Sequence, residues 1–361
     1  MAAEVKVNLE KDSYSVIIER GLLDTLGERI RPLTKAEKIA VITDDHVESL
    51  YGERARKSLE QAGFEVKIIA IPAGEESKNI SVLAGVYDAL TGFGMSRSDA
   101  VVTLSGGVPG DLGGFAAATY MRGVDFFQVP TTILAQIDSS VGGKVAVDLP
   151  GGKNLAGAFY QPKGVFIDPD LLKTLPVRYI HDGLAEAVKY GCIGDEELFE
   201  LFESMETEAD LEKHMEEIIL RSVLQKARVV EADERDNGLR QILNFGHTIG
   251  HAVEKYFRYS TYTHGEGVAI GMALMTDRTE KLGITEKGTA ERLRAVLRKL
   301  HLPTTVPVPA ESLIPAVLQD KKRRGSRITL VMLPQIGKAA LKTVDTAELP
   351  QYIVTERTGC L

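Results

Sequence analysis

From residue 14 to about residue 168 the chain alternates short β-branched runs with stretches of helical period, and no other feature narrows its fold so far. YSVIIE, KIAVIT, EVKIIAI, AVVTLS, FFQVP, KVAVD and GVFID read as strands, separated by segments such as ARKSLEQAG and NISVLAGVYDALTGFG. A parallel neighbour can be reached only by a crossover, so strands alternating with helices of that length predict a mostly parallel sheet covered on both faces. Beyond DPDLLKTLP the period changes to that of helices, in EELFELFESM, LEKHMEEIILRSVLQKARVV, EGVAIGMALMTDRTEKLG and TAERLRAVLRKL. A candidate late strand pair, RITLVML and AALKTV, is the one β element expected there.

At 361 residues the chain is long enough for two cores. The reading is an α/β, Rossmann-like domain over residues 1–176 followed by an otherwise all-α domain over 177–361, meeting near Pro176 to Ile180, with ligand bound in the cleft between them. With 44% apolar and 26% charged residues, the composition is that of an ordinary globular protein. A net charge of −8 argues against a general nucleic-acid surface, though it leaves room for a local basic pocket. Two distant cysteines, Cys192 and Cys360, make no disulfide framework and fit a reducing compartment. The opening MAAEVKVNLEKDSYSV lacks the apolar core of a signal peptide, and no run approaches the ~18 apolar residues of a membrane span. A cytoplasmic protein without membrane or nucleic-acid partners is expected.

Two places at strand ends invite a nucleotide. KIAVITDD ends in Asp44, where a carboxylate either accepts ribose hydroxyls or caps the next helix. AVVTLSGGVPGDLGGFAAATY runs from a strand through Gly106, Gly107, Val108 and Gly110 into a helix of small residues. Glycines there let backbone N–H groups approach a phosphate at a helix N-terminus, although the spacing is not G-x-G-x-x-G and a plain tight turn is the alternative. PAGEESK (72–78) and VPTTILAQIDSSVGGK (129–144) add turn formers and hydroxyls.

LNFGHTIGHAVE places His247 and His251 one helical turn apart, but Thr248 stands where the familiar helical zinc pair has its glutamate. His264 in THGEG is read as lying on a glycine-bounded turn before the next helix. Glu186 in GLAEAVKYG shares a helix face with Lys189 and Tyr190. Glu186, His247 and His264 would make a carboxylate and two imidazoles, a set suited to Zn²⁺; the alternative is three satisfied polar residues at a domain seam. Lys226 lies on the apolar face of its helix with Ile219, Val223 and Val230, so it either snorkels outward or meets an anion. Lys144 and Lys153 stand in apparent glycine-rich turns, and Arg240 precedes Asn244 by one turn. Such cations suit a small, strongly anionic substrate.

Together SGGVPGDLGGFAAATYMRG, VPTTILAQIDSSVGGKVAVDLPGGKNLAGAFYQP, GLAEAVKYG, DERDNGLRQILNFGHTIGHA and HGEGVAIGM closely resemble, in order, segments of the 3-dehydroquinate synthase family, and the likeness runs from about residue 14 to 340. The resemblance implies an NAD- and divalent-metal-dependent lyase (Zn²⁺, with Co²⁺ as an option) acting on a small anionic sugar phosphate, 3-deoxy-D-arabino-heptulosonate 7-phosphate. It implies transient oxidation by NAD⁺, phosphate elimination, return of the hydride, ring opening and aldol closure to 3-dehydroquinate. By matching motif, the metal ligands would be Glu186, His247 and His264, with His251 facing substrate. Asp44, Glu75, Lys78, Gly106, Gly107, Val108, Asp111, Thr131, Thr132, Lys144, Lys153 and Thr174 would surround the dinucleotide. Asp138, Lys144, Asn154, Lys189, Lys226, Arg240, Asn244 and either Lys321 or Lys322 would serve substrate, and Arg122 would reach a neighbouring active site in a homodimer. The family usually has three glycines where Ser105-Gly106-Gly107 stands, a mild change, and usually an aliphatic residue at Pro109, whose missing N–H puts one pyrophosphate hydrogen bond in question. Other sugar-phosphate cyclases, a metal-dependent polyol dehydrogenase and a noncatalytic ligand-binding relative are the competing readings.

Overall fold

The computed structural model describes residues 2–318 and 326–354. Its chain forms two compact units, Met1–Pro176 with Met215–Arg235, and Val177–His214 with Asp236–Leu361. The long helix Glu208–Ala232 therefore gives its first turns to the second unit and the remainder to the first.

In the first unit, β1 (Ala3–Val7), β2 (Tyr14–Ile18), β3 (Lys38–Asp44), β4 (Glu65–Ile71), β5 (Ala100–Ser105), β6 (Asp125–Pro130) and β9 (Gly164–Ile167) make one seven-stranded sheet in the order β1-β2-β9-β6-β5-β3-β4. Only the β1–β2 pair is antiparallel. Because side chains alternate along a strand, Ile39 and Val41 of β3 enter one apolar layer with Val102, Phe127 and Phe166, whereas Ala40 and Ile42 enter the other with Val101, Leu112 and Phe126. Two helix-covered faces explain why these strands read as nearly unbroken apolar runs.

Two expectations change. KVAVD does not join this sheet: β7 (Lys144–Leu149) pairs antiparallel with β8 (Gly152–Phe159), so Lys144 and Lys153 sit in strands and not in turns. The alternating burial of β7 gave the signal, since a strand with one packed face belongs to a hairpin laid on a helix. That packing is close: a Cβ on Gly114 would lie 2.4 Å from the Val145 side chain.

The second unit is helical, with Val177–Gly194, Glu196–Ser204, His247–Tyr256, His264–Lys281 and Thr289–Lys299 as its longer helices. It is not purely α, because β10 (Arg327–Gln335) and β11 (Lys338–Asp345) form an antiparallel hairpin at the late strand pair. Alternate β10 residues Ile328, Leu330 and Met332 fill a core with Ile249, Val253, Ile270 and Leu313. Among the described residues, no helix is long and apolar enough to cross a membrane.

Candidate active site

The first unit assembles a cradle at the C-terminal ends of β3, β5 and β6, the edge of a parallel sheet where loops can receive a ligand. After β5 the chain turns through Gly106 and Gly107 into the helix Val108–Thr119. Gly107 has φ +148° and open space where a Cβ would go, so its backbone conformation, and not crowding, demands glycine. The Ser105 hydroxyl accepts from the N–H groups of Gly107 (2.9 Å) and Gly110 (2.8 Å). The hydroxyl thus supports the turn that a third glycine would leave to backbone alone. Pro109 falls in the first helical turn, where an N–H has no intrahelical acceptor, so the helix loses nothing by it. Thr131 N–H donates to Ser105 O at 2.9 Å, and the Thr132 hydroxyl donates to Gly106 O at 2.8 Å.

Beside this turn the buried Lys78 ammonium meets Asp111 at 2.6 Å. Burial works against its charge, but Asp111 and Glu75 outweigh that effect and hold Lys78 above its ordinary value. Lys153 reaches Glu75 at 3.3 Å. Asp44, ending β3, accepts from Val47 N–H at 2.8 Å and so caps the next short helix. Thr174 exchanges a 2.5 Å hydrogen bond with Tyr51. Lys226 does not snorkel: it is buried and ion-paired to Asp138. Asn154, at φ +53°, donates its N–H to Asp148 at 2.6 Å, Lys144 opens β7 exposed, and Arg122 is exposed at φ +68°.

The second unit brings Glu186, His247 and His264 together, with one ligand atom from each within 4.8 Å of the others. Both imidazole Nε2 atoms lie 3.2 Å from the same Glu186 oxygen. Three ligands about 2.1 Å from a tetrahedral cation would stand roughly 3.4 Å apart, so the spacing fits. The outer nitrogens are held as well: His247 Nδ1 faces Phe245 O at 3.1 Å and His264 Nδ1 faces Glu254 at 3.5 Å. That leaves each Nε2 directed inward, the arrangement in which outer partners fix a ligating imidazole. Glu186 is also ion-paired to fully buried Lys189.

The charges follow from these neighbours. Burial alone would raise the Glu186 carboxyl, but Lys189 and His247 hold it well below the carboxylate range. Burial pushes His247 down to about 4, leaving a neutral imidazole at neutral pH. Burial opposes charge on His264 too, yet Glu186 and Glu254 push it up to about 10.

The convergence depends on backbones that almost touch. A Cβ on Gly271 would lie 1.9 Å from Gly246 O, and one on Gly250 would lie 2.9 Å from Gly267, so the helices His247–Tyr256 and His264–Lys281 pack through paired glycines. His264 is the first residue of its helix and not part of a preceding turn, since Thr263 and Glu266 form a capping box around it. Buried Asp182 fixes the same end by accepting from Gly265 N–H at 2.6 Å. His251 lies outside the triad with its ring centroid 5.4 Å from that of His247 and 6.0 Å from that of His264. Arg240 is buried in the turn Leu239–Asn244, with Asn244 half-buried at its end. Lys321 and Lys322 lie outside the described residues.

Sequence reasoning missed Asp182, Glu254 and the Ser105 hydroxyl as supporting groups. Asp182 was detectable as a carboxylate one turn before Glu186, and Glu254 as one two turns after His247. The G-x-x-x-G spacings at 246–250 and 267–271 were a further signal for close helices.

Family models described as 3-dehydroquinate synthase N-terminal and C-terminal match residues 68–182 and 183–323. The chain belongs to the 3-dehydroquinate synthase family. It is 50% identical over 350 residues to the 3-dehydroquinate synthase of Clostridium acetobutylicum, covering 97% of this chain and 98% of that one. Among solved structures it is similar to a 2-deoxy-scyllo-inosose synthase complexed with carbaglucose-6-phosphate, NAD⁺ and Co²⁺ (TM-score 0.87, 25% identity, 98% and 100% of the two chains). It is also similar to a 2-epi-5-epi-valiolone synthase from Streptomyces hygroscopicus with NAD⁺ and Zn²⁺ bound (TM-score 0.84, 28% identity, 95% and 96%). This chain is therefore a phosphate-eliminating carbon–oxygen lyase of the shikimate pathway.

Proposed function

We propose that both assemblies serve this lyase: the cradle at β3, β5 and β6 holds NAD⁺, and Glu186, His247 and His264 hold Zn²⁺ or Co²⁺. The observation that carries the reading is the aim of two imidazole Nε2 atoms at one carboxylate oxygen, with both Nδ1 atoms tied outward. Two nitrogens and one oxygen suit a borderline cation and leave one position open for a substrate oxygen. The donor set therefore fits the group.

When bound, the metal supplies Lewis acidity that lowers the pKa of the substrate hydroxyl to be oxidised. NAD⁺ supplies a hydride acceptor that is regenerated within each turnover. The protein contributes binding, orientation and charge. Lys189 and Arg240, both buried, hold positive charge for the anionic substrate without solvent screening, and Asn244 orients its hydroxyls. Lys144, Asn154 and Lys226 with Asp138 serve the phosphate side, keeping the leaving group in position for elimination. His251 faces substrate as a proton-transfer group.

On the nucleotide side, Gly106, Gly107, Val108, Thr131 and Thr132 shape the pyrophosphate turn, while Asp111, Lys78, Glu75 and Lys153 order its rim. Asp44 and Thr174 lie toward the nucleoside. Supporting this is their placement at strand ends and the open space above Gly107. Arg122, exposed on a left-handed turn, completes a neighbouring site in a cytoplasmic homodimer.

Phosphate release from 3-deoxy-D-arabino-heptulosonate 7-phosphate tests the whole reading. Many turnovers per NAD⁺, a chelator-sensitive rate and 3-dehydroquinate as product are expected. A folded, metal-loaded protein that releases no phosphate would redirect the reading to another sugar-phosphate cyclase.

A further inference from the structure

We infer that His181, Glu208 and His301 form a second divalent-cation site, separate from the Glu186 triad and of zinc type. Ligand atoms from the three residues lie within 4.8 Å of one another. His181 Nε2 stands 3.1 Å and His301 Nε2 3.5 Å from the same Glu208 oxygen, with the two imidazole centroids 4.9 Å apart. These distances bracket the roughly 3.4 Å edge expected for ligands around a tetrahedral cation. The donor chemistry, two imidazoles and a carboxylate, repeats that of the triad.

Each ligand comes from a different helix or its ending. His181 lies in the first half of the helix Val177–Gly194, five residues before Glu186. Glu208 is the first residue of Glu208–Ala232. His301 follows the helix Thr289–Lys299 at φ +54°, its N–H donating to Arg298 O and that of Leu302 to Leu297 O. That pattern is a Schellman ending, whose left-handed position glycine normally fills. A histidine there is strained in its backbone, and its ring lands on His181.

The environments of the two clusters differ in access. The His181 side chain is 9% exposed, whereas those of Glu208 and His301 are 60% and 68% exposed. A cation would thus enter directly from solvent, keep water in its fourth position, and staple three helices that Glu208 already joins through both imidazoles, whose rings touch. Binding to the folded state alone adds stability that grows with metal concentration. Imidazole ligands favour Zn²⁺, Co²⁺ or Ni²⁺ over Mg²⁺ or Ca²⁺, which prefer oxygen.

The test is a Zn²⁺ titration of the chelator-stripped full-length protein by calorimetry, paired with thermal melting. The wild type should bind two equivalents, the weaker of which raises Tm by several degrees at saturation, while Mg²⁺ should not reproduce that rise. His301→Gly, which relieves the left-handed backbone and so keeps the fold, should bind one equivalent. Its phosphate-release activity should stay within about twofold, and the second rise in Tm should vanish. Glu208→Gln should behave likewise, and His264→Ala should keep the weaker equivalent alone. One equivalent in the wild type, or a weaker equivalent that survives in both His301→Gly and Glu208→Gln, overturns the inference. Either result leaves the assignment of Glu186, His247 and His264 standing, because that assignment is read from the loss of the tighter equivalent and of activity in His264→Ala.

Discussion

The proposed nucleotide cradle and the proposed metal cluster are built on opposite principles. Around Gly106 and Gly107 the working surface is backbone, shaped by a positive φ and steadied by the Ser105 hydroxyl. Around Glu186 it is side chains, brought into contact by helices whose glycines let the backbones meet. A backbone site should tolerate changes in side-chain chemistry but not in φ; a side-chain site should tolerate neither a lost ligand nor a widened helix gap.

The largest effect should separate ligand from neighbour within the second unit. His264→Ala is expected to lose the tighter metal equivalent and nearly all activity, about a thousandfold or more, since several kcal/mol of charge stabilisation depend on the cation. His251→Ala should keep its metal while slowing turnover by roughly a hundredfold, the scale of a proton-transfer group. Elemental analysis with steady-state kinetics on both variants decides the matter. Retention of the tighter zinc equivalent in the His264 variant would sink the ligand set, and with it the contrast between the two sites.

Glycine substitutions sharpen the same contrast. Gly271→Ala forces a Cβ to within 1.9 Å of Gly246 O, and backbone cannot step aside as a side-chain tip can. A loss of about 3 kcal/mol is expected, toward the upper end for overpacking. Gly107→Ala meets open space and bears only the left-handed penalty, about 1–2 kcal/mol. Its damage should appear as weaker NAD⁺ binding with metal content intact. Chemical denaturation ranks the two; equal destabilisation would mean that the helix pair relaxes more easily than its geometry suggests.

These differences track what could be read in the sequence. The parallel sheet was legible because six of its seven strands are apolar runs that alternate with helical segments, β1 being the one not read, and the triad residues were legible through long motifs. Beneath them, what escaped notice was contact across sequence distance. KVAVD was read as one more sheet strand, since a local pattern does not reveal its partner, which proved to be Gly152–Phe159. The capping box around Thr263 and Glu266 was present in the letters, yet the glycines beside His264 suggested a turn. Asp182 and Glu254 offered only ordinary helical spacing, and their meaning rests on which helix lies opposite. Lys226 shows the converse: its apolar helix face was visible, but only Asp138 explains why it stays buried.

Removing the outer partner of a ligand should cost less than removing the ligand. Glu254→Gln keeps shape and a hydrogen-bond acceptor but removes the charge facing His264 Nδ1. Loss of such a partner typically weakens metal affinity by about 10–100-fold. A competition titration against a chromophoric chelator would measure it, and an unchanged affinity would reduce Glu254 to a packing neighbour.

The smallest effect belongs to the cradle, where it probes the Ser105 hydroxyl. Ser105→Ala leaves the Gly107 and Gly110 N–H groups without their shared acceptor, and an unmet donor costs about 1–3 kcal/mol when buried. Gly107 N–H is only partly buried, so water can replace much of that bond, and a rise of about fivefold in the KM for NAD⁺ is expected. Ser105→Gly also removes the hydroxyl, but its freer backbone lets the turn re-form around the dinucleotide, so its KM should fall between those of the wild type and the alanine variant. Zinc stoichiometry should not move in either variant, because the triad takes nothing from this loop. If both variants bind NAD⁺ as the wild type does, the hydroxyl merely fills space at a strand end, and the cradle is shaped by glycine backbone alone.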